Sequence, residues 1–239
     1  MKQFLSAALL TSMLLISSCT VVPAFRIDAT TQGIQTGDTL IFTHHSLPDW
    51  KEVSSDTLIA TKEGQFSFSK IIGKTSLYNI AYRPSQAEPL AYCNRGFSFY
   101  VRPGDHLKVK GGIEFFPAMH KEGGMYDDPR LQRILTLDDS ITVEMNKVYR
   151  KLRYFADLRG TPQANPDSMI YYNQAYRQCR SKELSEARRN FYNTADDSEY
   201  AALEYMQSLY DIPYKEAQER FARFTPEVQS SSTGKIIEQ

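Results

Sequence analysis

Hydrophobic and polar positions alternate with a period near two from Phe25 to about Ile113. From about Asp128 onward, apolar positions recur every 3.6 residues instead. The first period belongs to strands with one buried face, the second to helices with one buried stripe. Phe25-Arg26-Ile27-Asp28-Ala29-Thr30 alternates and stops at Gly33, and Thr39 to Thr43 is a second short strand. Ser55 to Thr61 is a third, and Lys62-Glu63-Gly64 reads as a hairpin loop into Gln65-Phe66-Ser67-Phe68-Ser69. Ser76 to Tyr82, Leu90 to Tyr92, Gly96 to Val101 and His106 to Lys110 complete the set. Short antiparallel strands at this spacing predict a β-sandwich over residues 25–113.

The helical half opens at Asp128-Pro129, an acidic N-cap followed by proline at the first helical position. Its stripe is Leu131, Leu135, Ile141, Met145, Val148, Leu152 and Phe155, and Gly160-Thr161-Pro162 ends it. A second helix starts at Pro166-Asp167, with a stripe of Met169, Tyr172, Tyr176, Cys179, Ala187 and Phe191. A third starts at Asp196-Asp197-Ser198, a fourth follows Pro213, and Thr225-Pro226-Glu227 starts a last turn. Only 18 of residues 20–112 are charged against 37 of residues 113–239, as solvated helical faces require. The fold class is therefore α+β: an antiparallel β-sandwich, an irregular Gly-rich joint over 114–127, and an α-helical region over 128–239.

The first eighteen residues belong to neither half. A short positive start precedes an apolar run from Phe4 to Ile16, too short for a comfortable membrane span of about 20 residues. It reads as a signal peptide, residues 1–18. Ile16-Ser17-Ser18-Cys19 resembles a bacterial lipobox, which implies a diacylglyceryl group on the Cys19 thiol, cleavage just before that residue, and two or three palmitate-type acyl chains in all. Two or three chains anchor stably where one is marginal. Residues 19–24 then form a lipidated tether. Thr20 rather than Asp follows, which by resemblance to known sorting rules implies the outer membrane, with the domain in the periplasm.

Composition narrows the function. Lys+Arg and Asp+Glu are both 28, so bulk electrostatic binding of nucleic acid is not expected. A hydrophobic content of 41% with 12% aromatics excludes disorder. Of three cysteines, Cys19 is the anchor; Cys93 and Cys179 either pair or, as the favoured reading, stay separate thiols. His44 and His45 are neighbours on a strand and point to opposite faces, and neither His106 nor His120 has metal-ligand spacing around it. No metal site and no cofactor are expected. Asp127-Asp128, Asp138-Asp139 and Asp196-Asp197 read as helix starts or exposed helix faces. Ten of 15 tyrosines fall between Tyr149 and Tyr214; core is favoured over a binding platform for them. Trp50 is a candidate exposed contact. No nucleophile motif, phosphate loop or dinucleotide fingerprint is present, so no catalytic residue is assigned.

Several features together resemble one family. They are the lipobox, Phe25-Arg26-Ile27-Asp28, Asp56-Thr57-Leu58 before Gly64-Gln65-Phe66-Ser67-Phe68, and Phe99-Tyr100-Val101-Arg102-Pro103-Gly104-Asp105. The chain is similar to the N-terminal domain of unknown function in envelope lipoproteins of Bacteroidetes-type bacteria. There it usually precedes a helical linker and a thioredoxin-like, thiol-disulfide oxidoreductase domain. Asp197 to Ala202 and Phe224-Thr225-Pro226-Glu227-Val228 look like that linker. The resemblance implies a redox domain shortly after Gly234-Lys235, yet the sequence reaches Gln239 without its Trp-Cys-x-x-Cys. The expectation is thus a non-enzymatic binding or spacer lipoprotein, held by membrane lipid through Cys19 and accessory to an envelope protein partner of a redox system. The alternative is a truncated front part of such an oxidoreductase.

Overall fold

The computed structural model describes residues 23–85, 96–179 and 182–238. Cys19, the expected strand at Leu90 to Tyr92 and Cys93 lie outside these residues. The described chain is an α+β fold in which two four-stranded sheets precede the helices. One sheet contains β1 (Ala24–Gln32), β4 (Gln65–Ile71), β7 (His106–Gly112) and β8 (His120–Glu122), in the order β4-β1-β7-β8. The other contains β2 (Thr39–His45), β3 (Glu52–Ile59), β5 (Ser76–Arg83) and β6 (Gly96–Val101), in the order β3-β2-β5-β6.

The alternation read from the sequence decides which faces meet. Phe25, Ile27 and Ala29 of β1 are buried, as are Tyr78, Ile80 and Tyr82 of β5. Rings cross between the sheets: Phe42 stacks on Phe68 at 3.9 Å, and Phe25 meets Tyr78 at 4.9 Å. Each such side chain contributes about 1.5–3 kcal/mol on burial, so this interior is the main stabiliser of the sheet region.

Three expectations about the sheets change. First, β1 pairs antiparallel with β4 but parallel with β7, Ile27 standing opposite both Phe68 and Leu107. A parallel neighbour needs a long crossover, and here the whole second sheet supplies it. Second, the turn at Lys62-Glu63-Gly64 closes locally on one antiparallel bridge, Lys62 with Gln65, but it serves as a corner between sheets, because β3 pairs with β2 while β4 pairs with β1. The corner is pinned by Thr31 N–H donating to the Gly64 carbonyl at 2.8 Å and by Gly64 N–H donating to that of Ile34 at 3.0 Å. Third, the joint contributes to the sheet. Its residues 120–122 form β8 against β7, between two short 3-10 turns, Ile113–Ala118 and Gly124–Asp127. Gly123 has φ 96°, and a Cβ there would lie 2.1 Å from the His106 carbonyl oxygen, so only glycine fits that close approach.

Helix α1 (Pro129–Asp157) starts as predicted, with the Asp128 carboxylate accepting from Arg130 N–H at 2.8 Å. Leu131, Ile134 and Leu135 in its first turns are buried. The expected second helix is two. Helix α2 (Pro166–Gln178) buries no residue, whereas α3 (Lys182–Thr194) buries Leu184 and Phe191. Helix α4 (Glu199–Ser208), capped by Ser198, buries Ala201, Ala202, Leu203, Tyr205 and Met206. Helices α5 (Tyr214–Phe221), α6 (Pro226–Ser230) and α7 (Ser232–Ile237) follow.

The two halves share one core. Phe99 and Val101 of β6 belong to the same apolar cluster as Leu203 and Met206 of α4. Polar bonds lock the seam: Glu199 accepts from the Thr75 hydroxyl at 3.0 Å and the Thr233 hydroxyl at 2.9 Å, and lies 3.5 Å from Arg102. No helix among the described residues is long and apolar enough to cross a membrane.

Candidate functional site

The sites marked by the sequence stay apart. Cys179 sits at the C-cap of α2 as a free, half-buried thiol. His44 stacks on Tyr78 at 4.9 Å, while His45 on the other face bonds Asn79 at 2.8 Å and the Trp50 carbonyl at 3.1 Å. His106 bonds Asp28 at 2.7 Å and His120 bonds Asp139 at 3.0 Å, on different strands. No group of three His, Cys, Asp or Glu side chains among the described residues is arranged for a metal ion. Trp50 is partly buried, its ring 6.3 Å from that of Tyr100.

One carboxylate pair departs from its expected place. Asp138 and Asp139 do not form an exposed face. Asp138 pairs with Arg188 of α3 at 2.8 Å. Asp139 is partly buried beside His120 and Lys121, and burial raises its pKa above the usual carboxylate range. Lys121 is buried, donates to the Met119 carbonyl at 2.8 Å, and is held below the usual lysine range by the same loss of solvent. The other pairs behave as helix starts: Asp128 caps α1, and Asp197 binds Arg130 at 2.8 Å.

The most built feature lies elsewhere, in a cleft of about 750 Å³ between α3, α4 and α5. Pockets that bind small molecules commonly occupy about 300–1,000 Å³. Glu204 forms part of its floor. This carboxylate is half-buried on the helix that buries five of its ten residues, beside Tyr200, one turn earlier on α4, and Tyr192 on α3. Burial is the main cause of its raised pKa, opposed by the charge of Arg188 and by the two tyrosines. Both tyrosine hydroxyls are in turn pushed upward, first by burial and then by the Glu204 charge.

Behind the floor, an aromatic seam ties the cleft to the sandwich. The Tyr200 ring meets Tyr100 at 5.8 Å and Tyr126 at 5.6 Å, edge to face. The Tyr126 hydroxyl accepts from the Tyr100 backbone N–H at 2.7 Å, and the Tyr100 hydroxyl accepts from the Gln207 amide at 2.5 Å.

The walls carry both signs of charge. Arg220 of α5 is nearly buried; it pairs with Asp196 at 2.5 Å, donates to the Tyr192 carbonyl at 2.5 Å, and lies 4.2 Å over the Phe224 ring. Arg223 reaches Asp196 at 3.4 Å and the Asn193 carbonyl at 2.6 Å. Arg189 is exposed at the rim with no ion pair among the described residues. The chemistry this permits is recognition: hydrogen-bond donors and acceptors of fixed orientation around one partly desolvated carboxylate.

The sequence reading passed over Glu204, Tyr192, Tyr200 and Arg188. A signal was present, since Glu204 is the lone acid inside Ala201-Ala202-Leu203-Glu204-Tyr205-Met206, a stretch otherwise apolar enough to be core. The tyrosines themselves divide: Tyr205 is buried and Tyr200 packs on the core, whereas Tyr154, Tyr171 and Tyr214 are exposed. Compared with known proteins, the chain matches no family model, no curated protein and no solved structure.

Proposed function

We propose that this chain is a membrane-tethered, non-enzymatic binding lipoprotein of the cell envelope. Acylated Cys19 holds it to the outer membrane, facing the periplasm, and the α3-α4-α5 cleft takes a small polar ligand. The observation that carries the binding half of this reading is the Glu204 carboxylate, kept partly out of water beside two tyrosines and open to a cleft of ligand size. A partly buried charge of this kind is costly to retain without a partner. The tether half rests on the Ile16-Ser17-Ser18-Cys19 sequence.

Two measurements test it. Fractionation of cells expressing Cys19→Ala should move the protein from the membrane to the soluble periplasm; retention at the membrane contradicts lipidation. A thermal-shift survey of amino acids, short peptides, oligosaccharides and nucleotides should find a class that stabilises the native chain. At a hundredfold excess over Kd the gain is about 2.7 kcal/mol. The gain should vanish in Asn193→Trp, which fills the cleft rim; equal shifts in both proteins place binding elsewhere and reject the cleft.

A further inference from the structure

The cleft has two chemically distinct vacancies. At its floor, the half-buried Glu204 carboxylate offers about four acceptor positions to the cleft it lines. Arg188, the cation that acts on it, pairs with Asp138 at 2.8 Å, and Glu204 has no ion pair among the described residues. At the rim, Arg189 has a planar donor fork and no ion pair among the described residues. Arg220 and Arg223 differ, since both are committed to Asp196.

The balance of charge excludes simple partners. Arg188, Arg189, Arg220 and Arg223 line the cleft, and so do Glu204, Asp211, Glu216 and Glu219. A polyanion meets four carboxylates there and a polycation meets four guanidinium groups. A ligand bearing one charge of each sign, set apart, meets an unmatched partner at both ends. Tyr192, Tyr205 and Ile212 supply apolar wall between them.

We propose that the cleft binds a short peptide by its free ends, the ammonium on Glu204 and the carboxylate on Arg189. This rests on the binding reading above and names its ligand class. A cleft of about 750 Å³ suits about two to three residues, since an extended chain advances about 3.3–3.6 Å per residue. No bond is made or broken. The ammonium favours the ionised form of Glu204, so binding releases a proton where that group is protonated in the free protein. The groups facing Glu204 are Arg188 and Tyr192 of α3, Tyr200 of α4, Asp138 of α1, and Tyr100 and Tyr126 of the sheet region.

The test is calorimetric titration of the full chain with trialanine, N-acetyl-trialanine and trialanine amide. Trialanine should bind, and capping either end should weaken binding tenfold or more, the value of one charge-assisted hydrogen bond of about 1.5–3 kcal/mol. Glu204→Gln should abolish the preference for a free amino end and leave the preference for a free carboxylate; Arg189→Ala should do the reverse. A merely structural role for Glu204 would move both preferences together. The proton released on binding, read from buffers of different ionisation enthalpy, should disappear in Glu204→Gln. Capped and free peptides binding alike, or no trialanine binding, overturns the proposal. If a neutral oligosaccharide binds instead and Asn193→Trp blocks it, the peptide inference falls while the cleft remains a binding site.

Discussion

Helices α2 and α4 carry the same kinds of residue to opposite ends. Both bear tyrosines and aliphatics at helical spacing. Yet α2 buries none of its residues, leaving Ile170 57% and Tyr171 64% exposed, while α4 buries five of ten. The difference lies in what they pack against. Helix α2 packs mainly on the second half of α1, including a ring stack of Tyr172 on Phe155 at 5.6 Å. That half of α1 is itself fastened to the sheet region by an ion pair of Arg150 with Glu114 at 2.6 Å. Helix α4 is enclosed by the sandwich, α3 and the C-terminal helices. A stripe therefore predicts that a helix has an apolar face; it does not predict that the face is covered.

The comparison breaks most sharply by truncation. Leu203→Ala should destabilise by about 2–5 kcal/mol, because it empties a fully enclosed site. Ile170→Ala should stay within about 0.5 kcal/mol. Chemical denaturation measures both, and equal losses would mean α2 is covered in solution. Next in size is Arg220→Met, at about 1–3 kcal/mol, since it leaves Asp196 and the Tyr192 carbonyl short of a donor. Tyr171→Phe should change the melting temperature negligibly by comparison.

The smallest effect is a slope. Glu204 has a raised pKa in the folded chain, so the folded state holds its proton more tightly than the unfolded state. Its contribution to stability is present below the unfolded pKa and is lost as pH rises through the folded value. Glu204→Gln should therefore gain on the native chain as the pH is taken from acid to neutral. Asp28 behaves oppositely: the Arg26 hydrogen bonds hold it well below the usual carboxylate range, so its contribution is lost on acidification. A Glu204→Gln difference that is flat with pH would show that the carboxylate is solvated after all.

Much of the architecture was legible in the chain. Alternation located Phe25, Ile27, Phe42, Tyr78 and Val109 on inner faces, and Asp128-Pro129, Ser198 and Thr225-Pro226 marked helix starts where caps are found. These signals are local: a strand's period and a cap's hydrogen bond depend on residues a few positions apart. Pairing was not legible. The parallel join of β1 to β7 spans some eighty positions, and the Lys62 to Gly64 corner looks like a hairpin until each flanking strand finds its partner elsewhere. The candidate site is of the same kind. The sequence alone determined the α+β order, the apolar faces and the helix starts. Tertiary structure alone decided that Asp138 meets Arg188, and that Tyr192 and Tyr200 converge on Glu204. A carboxylate's surroundings are set by whatever the fold brings over it, and no local period encodes that.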